Sequence, residues 1–106
     1  MFSLSDCYRY ILDDEGNPIK EPDSLKWETW FENNLEKCVV ALGRLPNRIA
    51  ISTIFMGVDY DHKTPLLFET MVFGGPHNGW SKKYATLKEA QAGHQEILRK
   101  ESGRTI

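Results

Sequence analysis

The segment Leu66–Phe73 (LLFETMVF) has no polar face. Read as a strand, it puts Leu66, Phe68, Thr70 and Val72 on one side and Leu67, Glu69, Met71 and Phe73 on the other. A one-sided antiparallel sheet alternates apolar with polar residues, so this strand demands cover on both faces. It is the second of two apolar runs within Ile49–Gly75, joined by the polar connection Asp59–Thr64 and closed by Gly74-Gly75. A chain of 106 residues has room for one core and no second module. The two runs therefore belong at the centre of a single sheet.

The flanking segments supply the remaining elements. Cys7–Leu12 alternates Tyr8, Tyr10 and Leu12 against Cys7, Arg9 and Ile11, a strand with one face better buried. Asp13–Pro18 is a polar turn. Pro22-Asp23-Ser24 opens a helix over about Leu25–Leu35, with Asp23 or Ser24 as N-cap and Trp27, Trp30, Phe31 and Leu35 as its inward stripe. Cys38–Leu42, Ile49–Val58, Leu66–Phe73 and Trp80–Ala85 read as strands. Thr86-Leu87-Lys88-Glu89 is a capping box, and the helix behind it runs to about Lys100 with Leu87, Ala90, His94, Ile97 and Leu98 on one stripe. The order β-α-β-β-β-β-α with short links predicts an α+β fold: an antiparallel meander with both helices packed on one face. Residues 1–101 form the domain and 102–106 a disordered tail. Helices on one face leave the other to be met by a loop, an irregular N-terminus or another subunit, and the expected interface residues are Leu66, Phe68, Thr70 and Val72.

Composition excludes several function classes. A net charge of −2 gives no general attraction to nucleic acid or anionic membrane. Charge is segregated: Asp13–Glu36 carries eight acidic residues and two lysines, while Trp80–Ile106 carries six basic residues and three glutamates. That pattern fits two solvated faces, and also a head-to-tail contact or a shallow anion site. No apolar run approaches the roughly 18 residues of a membrane span, and no charged segment leads into a hydrophobic one. The expectation is a cytoplasmic protein with Cys7 and Cys38 as reduced, buried thiols.

Candidate chemical groups are few. Asp59, Asp61 and His62, with His77 across the next loop, have the oxygen and nitrogen atoms of a metal site, and with Trp80 they are the candidate ligand-binding residues of two loops. As an EF-hand the first loop fails, with Lys63 at the fifth position, no glycine at the sixth and Thr70 at the twelfth. Asp and His are also ordinary turn residues, and no metal or other cofactor is expected. His94, on the apolar stripe directly after Gly93, is either a buried neutral histidine or a general acid/base with Glu69 as partner. Glycine inside a helix costs about 1 kcal/mol against alanine, so Gly93 implies that a ring or backbone packs there. No serine or cysteine sits in a nucleophile motif, and Gly74–Gly79 lacks the Lys-Ser/Thr of a phosphate loop. Trp80, Lys82, Lys83 and Tyr84 could stack on a single strand of nucleic acid or simply protect a sheet edge.

Two blocks, ISTIFMGVDYDHKTPLLFETMVFGG at Ile51–Gly75 and YATLKEAQAGH at Tyr84–His94, resemble a family of small phage and prophage proteins. The family pattern pairs a PLLFETMVFGG block with a later Y-T-x-x-EA-x-x-GH block. This chain departs from it at Tyr60, where the pattern has a histidine beside the aspartate, and carries His62 two residues later. The resemblance implies an origin and a fold and brings no catalytic mechanism with it. The expected function is a non-catalytic phage accessory protein in the bacterial cytoplasm that binds a host or phage protein. A small-molecule or nucleotide site using His94, Glu69 and the two loops is the alternative, and nucleic-acid binding a third.

Overall fold

The structure, a computed structural model, describes residues 8–59 and 65–103. In chain order its elements are β1 (Tyr8–Leu12), β2 (Pro18–Lys20), α1 (Ser24–Asn33), α2 (Leu35–Cys38), β3 (Val39–Arg44), β4 (Ala50–Phe55), β5 (Val58–Asp59), β6 (Phe68–Phe73), β7 (Ser81–Tyr84) and α3 (Leu87–Gly103). The fold is α+β with antiparallel pairing throughout.

The two apolar runs lie side by side, with Ala50 opposite Phe73 and Phe55 opposite Phe68. β3 flanks β4, β7 flanks β6, and the sheet order is β3-β4-β6-β7. The meander is therefore present, but it holds four strands. β1 leaves it and forms a second sheet, β2-β1-β5. The cause is Gly57. Its φ of +77° breaks the expected Ile49–Val58 strand after Phe55 and sends Val58-Asp59 to pair with Tyr8-Arg9. The Gly57 carbonyl accepts hydrogen bonds from the Tyr10 amide at 2.8 Å and from the Trp27 indole at 3.1 Å.

α1 starts where the capping residues indicate: the Asp23 carboxylate accepts from the amides of Leu25 and Lys26. Trp27, Trp30 and Phe31 turn inward, and Phe31 stacks on Phe55 at 5.8 Å between centroids. Leu35, expected on the same stripe, is 65% exposed. Asn34 ends α1 in a non-helical conformation, its amide side chain bonds the Trp30 carbonyl, and Leu35 opens the separate turn α2. The helix stripe ends before it.

α3 begins at the expected capping box, with the Glu89 amide donating to Thr86 Oγ1 and the Thr86 amide to Glu89 Oε1. It lies across β3, β4, β6 and β7 and buries Ala90, His94, Ile97 and Glu101. A Cβ at Gly93 would overlap the Tyr84 ring, so this glycine lets the helix settle on β7. The helix continues through Ser102 and Gly103, where a tail was expected. Residues 104–106 lie outside the described residues. α1 reaches the same side of the sheet through Trp30 and Phe31 and, with α3, closes a cluster around Phe55, Phe68, Leu67, Tyr84 and Ala90; a second cluster, Ile49, Ile51, Val72 and Ile97, lies under α3.

Candidate functional site

Three rows of side chains face α3. They are Phe55-Phe68-Tyr84, Ala41-Thr53-Thr70-Lys82 and Gly43-Ile51-Val72. The middle row is polar at its centre, and His94 covers it. Thr53 Oγ1 lies 2.5 Å from Thr70 Oγ1 and 2.8 Å from His94 Nδ1, a fully buried chain of three groups. The chain can run in either direction, since each hydroxyl can both donate and accept. Burial lowers the His94 pKa from its ordinary value. This histidine is a core residue.

Glu69 lies between Phe68 and Thr70 on β6 and so projects to the opposite side of the sheet. The proposed acid/base pair of His94 and Glu69 is not assembled. The interface expected at Leu66, Phe68, Thr70 and Val72 is also displaced. Phe68, Thr70 and Val72 are at most 1% exposed and lie under α3, leaving only Leu66 accessible at 41%. The covered face carries the threonine pair, and His94 satisfies it there.

A depressed histidine pKa has a definite sign in stability. The unfolded chain takes up the proton first as pH falls, so the His94 contribution is present above about pH 6.5 and is lost as pH falls through the folded-state value. Thermal midpoints measured from pH 7.5 to 5 should fall more steeply for the native chain than for His94→Gln. The excess slope is at most about 1.4 kcal/mol per pH unit, the limit for one proton. Taking the difference isolates the group at position 94, and parallel curves would exclude His94 as the titrating group.

The ligand loops separate as well. Asp59 is buried in β5, within the three-stranded sheet, while His77 and Trp80 belong to the β6–β7 connection. Asp61 and His62 lie outside the described residues, as does Cys7. Among the described residues no group of three His, Cys, Asp or Glu side chains could hold a metal ion. Cys38 is buried, which pushes its thiol pKa up and makes it a poor nucleophile.

His77 and Trp80 do share a cleft. The connection is held rigid: the Gly74 amide donates to Asn78 Oδ1 at 2.7 Å, Gly79 N to the Val72 carbonyl and Trp80 N to the His77 carbonyl. It sets both side chains against the last turns of α3, where Ile97, Lys100 and Glu101 complete the lining. His77 Nδ1 stands 3.5 Å from Glu101 Oε2. Glu101, 24 positions away in sequence, carried no signal as a neighbour of His77. The cleft holds only about 130 Å³, against about 300–1,000 Å³ for pockets that enclose a small-molecule ligand. The His77–Glu101 contact ties the β6–β7 connection to α3 across this cleft.

The nucleic-acid platform is likewise dismantled. Tyr84 is buried in the core, and Lys82 and Lys83, as consecutive strand residues, point to opposite faces. Lys82 lies over the edge of the core with its Nζ 5.6 Å from the Tyr84 ring centroid.

The outer sheet face lies away from α3. Its rows are Val39-Ile54-Glu69-Lys83, Leu42-Ser52-Met71-Ser81 and Arg44-Ala50-Phe73. Val39, Leu42, Ile54 and Phe73 are 50, 55, 38 and 48% exposed. Four large apolar side chains on three adjacent strands thus face outward together, with Met71 half-buried among them and Arg44, Glu69 and Lys83 at the margin. The two-sided apolar pattern of β6 foretold an open apolar face, and Met71 and Phe73 belong to it. β3's contribution was not foreseen, because Cys38–Leu42 reads only as a short apolar strand with no facing assigned. No helix of the described residues is long and apolar enough to cross a membrane. Comparison with protein-family models, curated proteins and solved structures gave no match to this chain.

Proposed function

We propose that this chain acts by binding another protein through the outer face of its four-stranded sheet, without catalysis of its own. A small phage or prophage accessory protein is the setting that the Ile51–Gly75 and Tyr84–His94 blocks support. The observation that carries the reading is the outward grouping of Val39, Leu42, Ile54 and Phe73. Contiguous apolar surface rimmed by charge is a hallmark of protein contacts, and a flat, pleated face suits a partner that is itself flat and apolar. The buried setting of His94, bonded to Thr53, is consistent with a structural role for this histidine.

The test is site-directed photo-crosslinking in the producing cells. A photoreactive residue at Leu42 or Phe73 should give discrete protein adducts, and the same residue at Gln91 or Gln95, on the exposed side of α3, should not. Equal labelling from both sets of positions, or no adduct from the sheet, would overturn the reading.

A further inference from the structure

Building on the proposed role of the outer face, we infer that its occupant is a second copy of this chain, stacked sheet on sheet about a two-fold axis that runs along the strands between β4 and β6. The inference rests on how side-chain size is distributed across the face. In two of its rows β4 offers a small residue and β6 a large one: Ser52 beside Met71, and Ala50 beside Phe73. Rotation about an axis along the strands keeps each residue at its own level and exchanges β4 with β6. Phe73 then lies over the partner's Ala50 and Met71 over the partner's Ser52, while Leu42 meets the partner's Ser81. Large residues fill the space above small ones, as a packed core requires.

The other two-fold, with its axis across the strands, sets Met71 on Met71, Leu42 on Leu42 and Ser52 on Ser52. It crowds two sites and leaves a gap at the third. The favoured arrangement also keeps like charges apart. Glu69 faces the partner's Ile54 and remains beside its own Lys83, Lys83 faces the partner's Val39, and Arg44 lies at an outer corner. Long side chains at these places can lay their stems on apolar neighbours and keep their charges in water. Two sheets meet in this way at about 10 Å and about −30° in β-sandwiches.

Area sets the expected strength. Four strands about 4.8 Å apart and six residues long, at about 3.4 Å per residue, present a face of roughly 400 Å² in projection. Two corrugated faces remove on the order of 1,000 Å² from water, the threshold for a specific interface. The dimer is therefore weak, dissociating on the order of 10–100 µM.

Sedimentation velocity of the full chain from 1 to 500 µM tests it. The native chain should shift from monomer to dimer across that range. Ala50→Phe places two rings where one fits and should weaken the dimer about tenfold or more. Adding Phe73→Ala to Ala50→Phe reverses large and small and should restore association to within about threefold of the native chain. Thermal midpoints check that both variants fold, since neither position lies in the core. A native monomer at 500 µM, or a dimer indifferent to Ala50→Phe, would refute the second copy. If the chain is monomeric yet Leu42 and Phe73 still crosslink to a different protein, the binding face stands and self-association falls. Loss of those adducts as well removes both.

Discussion

Phe55→Ala is expected to lower folding stability by about 3–5 kcal/mol. For a domain of this size that is a large share of the roughly 5–15 kcal/mol that separates folded from unfolded chains. Phe55 is 2% exposed and stands where α1 meets the sheet. The Phe31 ring stacks on it within 6° of parallel, the Trp30 ring meets it edge-on at 6.1 Å, and Phe68 lies 5.4 Å away. Each aromatic pair adds about 0.5–1.5 kcal/mol beyond its burial, and the cavity left by alanine is bounded by rigid rings on three sides. Urea unfolding followed by far-UV circular dichroism measures the loss. Phe55→Leu should recover more than half of it by refilling the volume. A loss below about 1.5 kcal/mol for alanine would mean that α1 is not seated on the sheet as described.

Gly57→Ala should cost about 3 kcal/mol, from two sources that a control separates. One is backbone strain, because φ is +77° and a Cβ disfavours that region. The other is steric: the added methyl would overlap the Phe31 ring and press on the Tyr10 carbonyl. Gly79 has a φ of +91° with nothing within 4 Å of its Cβ position. Gly79→Ala therefore reports the strain alone, about 1–2 kcal/mol. Because the Gly57 carbonyl holds the Trp27 indole, the Gly57 variant should also change tryptophan fluorescence. Equal losses at the two positions would show that Phe31 moves aside freely.

Much of this architecture was legible in the chain. Asp23 and the Thr86–Glu89 box mark helix starts because capping needs those residue types at those spacings, and both caps form as expected. Gly93 announced a close neighbour, which is Tyr84. The strands of the meander follow from runs of β-branched and aromatic residues bounded by turns. Other features leave too little trace. β2 and β5 are three and two residues long, shorter than any window in which alternation can be counted. The break at Gly57 looks, in sequence, like a glycine tolerated inside a strand. The two faces of β6 are both largely apolar, with Glu69 on one and Thr70 on the other, so the strand's own pattern marks its facing only weakly. On the covered face Thr53, Thr70 and His94, three polar residues in three apolar segments, satisfy one another, while Glu69, Lys83 and Arg44 take the outer one. The same limit governed the candidate site, where Glu69 and His94 looked compatible until the sheet's facing was known.

The His94–Thr53–Thr70 chain also acts as a register pin. A slide of β4 against β6 by two residues would keep Ile51, Thr53 and Phe55 on the covered face and Phe68, Thr70 and Val72 beneath the helix. Apolar burial alone barely distinguishes that alignment from the native one, since a two-residue shift preserves the facing of every side chain. It would, however, carry Thr53 away from Thr70 and leave at least one buried hydroxyl without a partner, at a cost of about 1–3 kcal/mol for each such group. Three small polar groups thus supply what the greasy rows on either side lack: a reason for the strands to stop at one alignment.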